Sequence, residues 1–382
     1  MLCASPATAQ RIEFKTITPQ WSFKPSKGFV DDAMAFDVTG QRFAYIHTDS
    51  ATFLDVVIIG VGDWKQQLKI SVPGATKVPA SLAFSADGSR LVFIWADTRT
   101  GKQGVELFDL SKGGKLITSA KDASTIALVE YKGQQVLSVA KERQDKRGNV
   151  RVSVSLHRLA DLKRIKRAKL KVGVDTRIKR PPLRVLYWER GHLSLVGVRK
   201  GKYDRKRDVR RPDVAIRWDI LERKQLWAQE PKDLVKWNRA ISFRNNHSGA
   251  NSFVHVGESL KTLYLVDRNN QLKAIKTPVK WRLYEPRSLK QRESWDGNTL
   301  YFSMTIDPVN PEAVARKKAD KERADIYHVD ASGKVKSIGR IFTGKRRFGW
   351  VVGKGRFAYL RKLKGFGRGG KSVEIHAIGA GL

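Results

Sequence analysis

The feature that most constrains this chain is a unit of strand, glycine turn and strand that returns along its length. The clearest copy has a strand over residues 81–84, an Asp87-Gly88 turn and a second strand from Arg90 to Trp95. Asp-Gly between apolar runs favours a hairpin whose two turn positions take positive φ. A third strand follows over 105–110, a turn over 111–114, and a fourth strand starts at Lys115.

The same order recurs. Unit one places strands at 33–36, 42–47 and 56–59 around Thr39-Gly40. Unit three has 125–131, 135–140 and 151–157. Unit four has 184–188, 192–198 and 214–219. Unit five has 240–243, 252–256 and 262–267. Unit six has Ser294-Trp295, 299–305 and 326–330. Unit seven has 348–352, 356–360 and 373–378. The turn glycines 40, 88, 133 and 191 follow at steps of 48, 45 and 58.

An isolated four-stranded sheet cannot cover both of its faces, and radial packing of such sheets does so while leaving only short edges. The expected fold is therefore all-β: a seven-bladed β-propeller of four-stranded antiparallel blades. Unit seven stops at its third strand, so a strand from Arg11 to Ile17 is expected to fill the outer place and close the ring. Residues 10–382 then form a single domain. One short helical piece is expected within 311–325, where Pro311 precedes Glu312, Ala313 and Ala315. The strand runs predict a core of Phe36, Phe84, Leu91, Phe93, Leu107, Leu137, Val154, Leu186, Val196, Ile216, Phe243, Leu263, Leu300, Phe302, Ile326, Val351 and Tyr359.

The stretch from Phe84 to Phe93 resembles the Asp-Gly propeller repeats of the periplasmic Tol translocation protein and its relatives. The resemblance is good in unit two, fair in units one and six and faint elsewhere. It implies the propeller fold and a binding platform, and it transfers no catalytic residue.

Lys and Arg number 74 against 37 Asp and Glu, a formal charge of +37. Such a charge speaks of partners and solubility, not of fold. One Cys excludes a disulfide scaffold or a Cys-rich zinc site. No apolar run approaches the roughly 18 residues that a spanning helix needs, so no transmembrane segment is expected. Residues 1–9 read as the remnant of a secretory signal, ending in the small-x-small pattern Ala7-Thr8-Ala9. A periplasmic or secreted location is therefore expected. If Met1 is the true start, the protein is cytoplasmic.

Gly365 to Ser372 spells the phosphate-loop pattern G-x-x-x-x-G-K-S. That chemistry needs a helix after the loop. A strand pattern follows instead, so a Gly-rich hairpin loop is expected. The His residues at 47, 157, 192, 247, 255, 328 and 376 show no metal-ligand spacing and are expected to face solvent or to be satisfied on strands. Asn246-His247-Ser248 is a formal glycosylation sequon. Several of the ten Trp fall on predicted strands and are expected to pack between blades. No catalytic constellation, metal site or cofactor motif stands out, so the sequence leans against an enzyme.

The basic residues are unevenly placed. Residues 1–140 hold 15 basic and 13 acidic side chains, while residues 141–211 hold 25 and 7. In a propeller, the connection between second and third strands emerges at the same end as the connection between blades. Both kinds of connection are cationic around unit four. The candidate binding residues are Arg177, Lys179 and Arg180 in one, and Arg199, Lys200, Lys202, Arg205, Lys206, Arg207, Arg210 and Arg211 in the other. Only Asp204 and Asp208 interrupt the longer run. The expected function is that of a non-enzymatic scaffold whose basic face engages an acidic protein surface or an anionic envelope polymer. Two alternatives stand beside it. One is a propeller enzyme, a glycan lyase or hydrolase, with its site at the central opening. The other is a nucleic-acid-binding propeller, should the chain stay in the cytoplasm.

Overall fold

The computed structural model describes residues 17–49, 52–123, 125–144 and 150–172, and beyond them mainly the strands. Strand β1 is Trp21–Phe23. Sheet 1 is β2 (Phe29–Phe36), β3 (Arg42–Thr48), β4 (Phe53–Gly60) and β5 (Gln66–Pro73). Sheet 2 is β6 (Lys77–Phe84), β7 (Arg90–Asp97), β8 (Gln103–Asp109) and β9 (Lys115–Ala123). Sheet 3 is β10 (Thr125–Tyr131), β11 (Gln134–Gln144), β12 (Val150–Arg158) and β13 (Arg164–Val172).

Strands β14 (Val185–Glu189), β15 (His192–Arg199), β16 (Tyr203–Asp204), β17 (Val209–Arg210), β18 (Val214–Asp219) and β19 (Lys224–Gln229) follow. Sheet 4 is β14-β15-β18-β19, and β16 pairs with β17 separately. Sheet 5 has three described strands, β20 (Phe253–Val256), β21 (Thr262–Val266) and β22 (Leu272–Lys276). Sheet 6 is β23 (Lys290–Glu293), β24 (Leu300–Met304), β25 (Arg323–Val329) and β26 (Val335–Phe342). In sheet 7, β27 (Trp350–Gly353), β28 (Arg356–Lys362) and β29 (Lys371–Ala377) are joined by β1.

These sheets form a β-propeller, and its logic is visible in single strands. On β7, Leu91, Phe93 and Trp95 pack toward sheet 1, while Val92 and Ile94 pack toward sheet 3. On β3, Ala44 and Ile46 meet sheet 2, while Phe43 and Tyr45 meet sheet 7. Side chains alternate across a strand, so a sheet sandwiched between two others needs apolar residues at successive positions. Hence β4 and β7 read as nearly continuous apolar runs and are buried along most of their length. The outermost β5 alternates between buried and exposed because only part of it is covered. Each large side chain sealed in these seams contributes about 1.5–3 kcal/mol.

Sheet 1 touches both its sequence neighbour and the last sheet: β2 packs against β6 and also against β27 and β29. The ring is sealed by β1, with Trp21, Ser22 and Phe23 opposite Ile375, Glu374 and Val373. Trp21 stacks on Trp64 of sheet 1 at 5.9 Å and on Phe23 at 6.1 Å. The closing strand is thus 21–23 rather than the expected 11–17. Ile17 is not in a strand, and residues 11–16 lie outside the described part. Three aromatic-flanked residues win because they add a seam to two sheets at once.

Other expectations shift. Gly88 has φ +68° but Asp87 does not take positive φ, so the turn is not the two-residue hairpin form. It is a longer loop of four residues, 86–89, between the bonded Ser85 and Arg90, with the Gly88 N–H donating to the Ser85 carbonyl; Gly40 and Asp37 repeat it in sheet 1. The two-residue form occurs in sheet 3, where Lys132 and Gly133 have φ +52° and +73°. The first strand of sheet 6 is β23, ahead of Ser294.

Phe84, Leu91, Phe93, Leu107, Leu137, Val154 and Tyr359 are buried as expected, while Phe36 and Val351 are half-buried. Nothing is described of the side chains of Leu186, Val196, Ile216, Leu263, Leu300, Phe302 and Ile326. Phe243 and residues 311–322 lie outside the described part. No α-helix occurs among the described residues; one 3-10 turn, Leu110–Lys112, is capped by Asp109. No described helix is long and apolar enough to cross a membrane.

Candidate functional site

Antiparallel order fixes which connections share an end. Second strands run toward the end where third strands start, and fourth strands return to that same end. We call it the basal end. In sheet 4, β15 reaches it at Arg199 and β18 leaves it at Val214. Between them β16 and β17 pair as a short ribbon, with Tyr203 opposite Arg210 and Asp204 opposite Val209. Lys206 lies exposed in the ribbon turn.

The sequence-derived cations are therefore only partly placed. Arg199 ends β15 and Arg210 ends β17. Lys200, Lys202, Arg205, Arg207 and Arg211 lie outside the described residues, as do Arg177, Lys179 and Arg180. The last three fall in the sequence between Val172, where β13 ends, and Val185, where β14 begins.

Sheet 3 adds cations that the sequence reading did not single out as a site. Near its apical half, β11 packs Leu137 and Val139 against sheet 2. Two positions further, the same face carries Lys141 and Arg143, both exposed. Register then builds two rows across the strands. Arg143 lies opposite Arg151, which lies opposite Lys171; Lys141 lies opposite Ser153, which lies opposite Lys169. Arg167 follows one step up, opposite Ser155. Arg151, Arg167 and Lys169 are exposed. No Asp or Glu occupies this face on β11, β12 or β13, because Glu142 falls on the other side. Both rows sit at the basal end, where β11 finishes and β12 starts.

Two other cations of sheet 3 are paired with carboxylates. Arg158 grips Asp161 at 2.6 Å, and its hydrogen bond holds the Asp161 carboxyl down at about 2. Lys166 donates to the Tyr131 hydroxyl at 3.0 Å and to Glu222 at 3.1 Å; the Tyr131 hydrogen bond leads in raising its pKa. No ion pair joins Lys141, Arg143, Arg151, Arg167 or Lys169 to a carboxylate among the described residues.

The chain matches no protein-family model. It matches no curated protein either. Its fold is similar to the β-propeller domain of the Trilobed protease from Pyrococcus furiosus, over 87% of this chain and 91% of that one, at 14% identity and a TM-score of 0.48. It is also similar to the Dos1 propeller, over 90% and 81%, at 14% identity and a TM-score of 0.40.

The remaining motifs resolve as follows. Lys371 and Ser372 of the phosphate-loop pattern lie on β29, a strand, so no helix N-terminus follows the loop to hold a phosphate. His157 is satisfied by the Leu162 carbonyl at 2.7 Å and Ser155 at 2.9 Å. His376 departs from expectation: it is buried at 1% exposure and neither ring nitrogen has a hydrogen-bond partner. It stacks on Phe357 and Tyr359 at 5.1 and 5.3 Å, beside Glu374, which accepts from the Tyr359 hydroxyl. Among the described residues no group of three or more His, Cys, Asp or Glu is placed to hold a metal ion. His247 and the sequon lie outside the described part.

Proposed function

We propose that this protein is a seven-bladed, non-enzymatic binding scaffold, exported to the periplasm or beyond, whose basal end engages an acidic protein surface or an anionic envelope polymer. The observation that carries the reading is the convergence of cations at one end. The ribbon between β15 and β18 and the outer strands of sheet 3 all bring Lys and Arg there, with few carboxylates between them. Sheets 1 and 2 come from a nearly neutral stretch of sequence, so the field is directional. Such a field concentrates anions and speeds their encounter, and salt screens it beyond about 8–10 Å.

Replacing Arg205, Lys206 and Arg207 together with Ser tests the reading. Exposed loop changes usually stay within about 0.5 kcal/mol, so the variant should fold. Retention on heparin and capture of envelope components are compared with wild type across a salt series. The variant should elute at lower salt; equal retention would reduce the run to a solubility device. Cell fractionation tests export, and a cytoplasmic location would move the reading toward nucleic acid.

A further inference from the structure

We propose that the exposed basal part of the sheet 3 face that carries Lys141 and Arg143 is a built seat for a base-free linear phosphodiester polymer, of the alditol-phosphate kind, lying across strands β11, β12 and β13. The inference deepens the scaffold reading and rests on it. Three cations, Arg143, Arg151 and Lys171, stand directly opposite one another in register. Like charges placed opposite across strands destabilise a sheet. A fold gains nothing from such a row in isolation; a bound anion turns the cost into attraction.

The grid has a definite pitch. Neighbouring strands lie about 4.8 Å apart and alternate residues on one strand about 6.7 Å apart. Arg143 and Arg151 head one row, while Lys141 and Lys169 flank Ser153 in the next. The face thus offers a flat array of positive groups with a hydroxyl among them. Arginine forks suit phosphate oxygens bidentately, and serine adds a hydrogen-bond donor.

The same surface argues against other occupants. Protein partners anchor through aromatic or aliphatic side chains in central pockets, and the two rows hold only Lys, Arg and Ser. Single-stranded nucleic acid gains affinity by stacking bases on aromatics. The two rows hold no aromatic, and Tyr131 lies on the opposite face of the sheet beside Lys166. A charged polymer without bases is what remains to fit.

The test uses the full chain and four probes: poly(glycerol phosphate), an oligo-dT strand, poly-glutamate and heparin. Arg143→Ser with Arg151→Ser should weaken poly(glycerol phosphate) binding by about tenfold or more at low salt. Each contact removed should flatten the log–log salt dependence by about 0.7. Arg151→Glu supplies a second readout, because it places an acid between two cations. That variant should melt higher than wild type without polymer, yet lose the rise in melting temperature that polymer gives wild type.

Wild-type binding that survives both sheet-3 changes but falls in the Arg205/Lys206/Arg207 variant would overturn this seat and leave the scaffold reading intact. Preference for oligo-dT or poly-glutamate over poly(glycerol phosphate) would overturn the choice of polymer. Failure of wild type to bind any of the four would remove both the seat and the polymer arm of the reading.

Discussion

Arg42 of sheet 1 reaches into sheet 2 and donates from Nη2 to the carbonyl oxygen of Gly88 at 2.8 Å. Its Nε holds the buried Asp37 at 3.1 Å, and its guanidinium lies 5.2 Å from the Phe84 ring. One side chain thus ties two turns of neighbouring blades. Arg42→Ala should cost about 1.5–3 kcal/mol in chemical denaturation, the range for a charged hydrogen bond lost beside a buried carboxylate. Lysine should not restore it, since a point charge cannot serve both acceptors.

Gly133 and Gly88, both left-handed turn glycines, should respond differently to alanine. A Cβ on Gly133 meets nothing within 4 Å, so only the backbone strain at φ +73° is felt, about 1–2 kcal/mol. A Cβ on Gly88 would lie 2.2 Å from Arg42 Nη2. Gly88→Ala should therefore add the loss of the Arg42 tie to the same strain. Equal melting temperatures for the two variants would refute this account of the blade contact.

Acid should erode the turn of sheet 2. The Ser85 hydroxyl, then the Ser89 hydroxyl and N–H, hold the Asp87 carboxyl at about 2, below its ordinary 3.8. A carboxyl depressed in the folded state stabilises fully above its unfolded value and loses that contribution as pH falls through the folded one. Stability should drop between about pH 4 and pH 2, and Asp87→Asn should flatten that limb. Asp55, Asp97, Asp109 and Asp161 shift the same way, so the flattening will be partial. A melting profile across pH 2–5 that is identical for wild type and variant would exclude the Asp87 contribution.

His376 offers a stabilising substitution. Its ring is sealed between Phe357 and Tyr359 while its nitrogens lack hydrogen-bond partners. His376→Phe keeps the stack and removes two buried polar atoms; since Glu374 keeps the Tyr359 hydrogen bond when the 3.5 Å approach of Nε2 is lost, it should raise stability by about 1 kcal/mol. His376→Ala should lower it by about 2–4 kcal/mol through the cavity it leaves. A phenylalanine variant that melts as low as the alanine variant would show that the imidazole is needed for more than packing.

Much of this architecture is legible in the chain, and the exceptions have physical causes. Apolar runs flanked by turn glycines are read correctly because β4, β7 and β8 lie between two neighbours. The polar alternation of β29 misleads for the same reason. Ser372, Glu374 and His376 look like a solvated face, yet all three are buried, since a blade has no solvated face near its middle. The closing strand is too short for a period-2 signal, and its place is decided by stacking on Trp64, a tertiary contact. The cationic rows were half visible as Lys141-x-Arg143 and Arg167-x-Lys169-x-Lys171. Counting contiguous runs favoured 199–211 instead, because which residues face one another depends on pairing that no local spacing encodes.

The seal between β1 and β29 also sets a timetable. Arg356 donates to Gln20 across 336 residues of sequence, so β1 must wait for a partner strand made that much later. At about 5–20 residues per second that wait lasts roughly 20–70 s on the ribosome. Throughout it the aromatic strand has no partner of its own, and a finished neighbour whose last edge is still open can capture it. Crowded synthesis should thus yield rings completed by another molecule's first strand, a trace of birth order that dilution before refolding would erase.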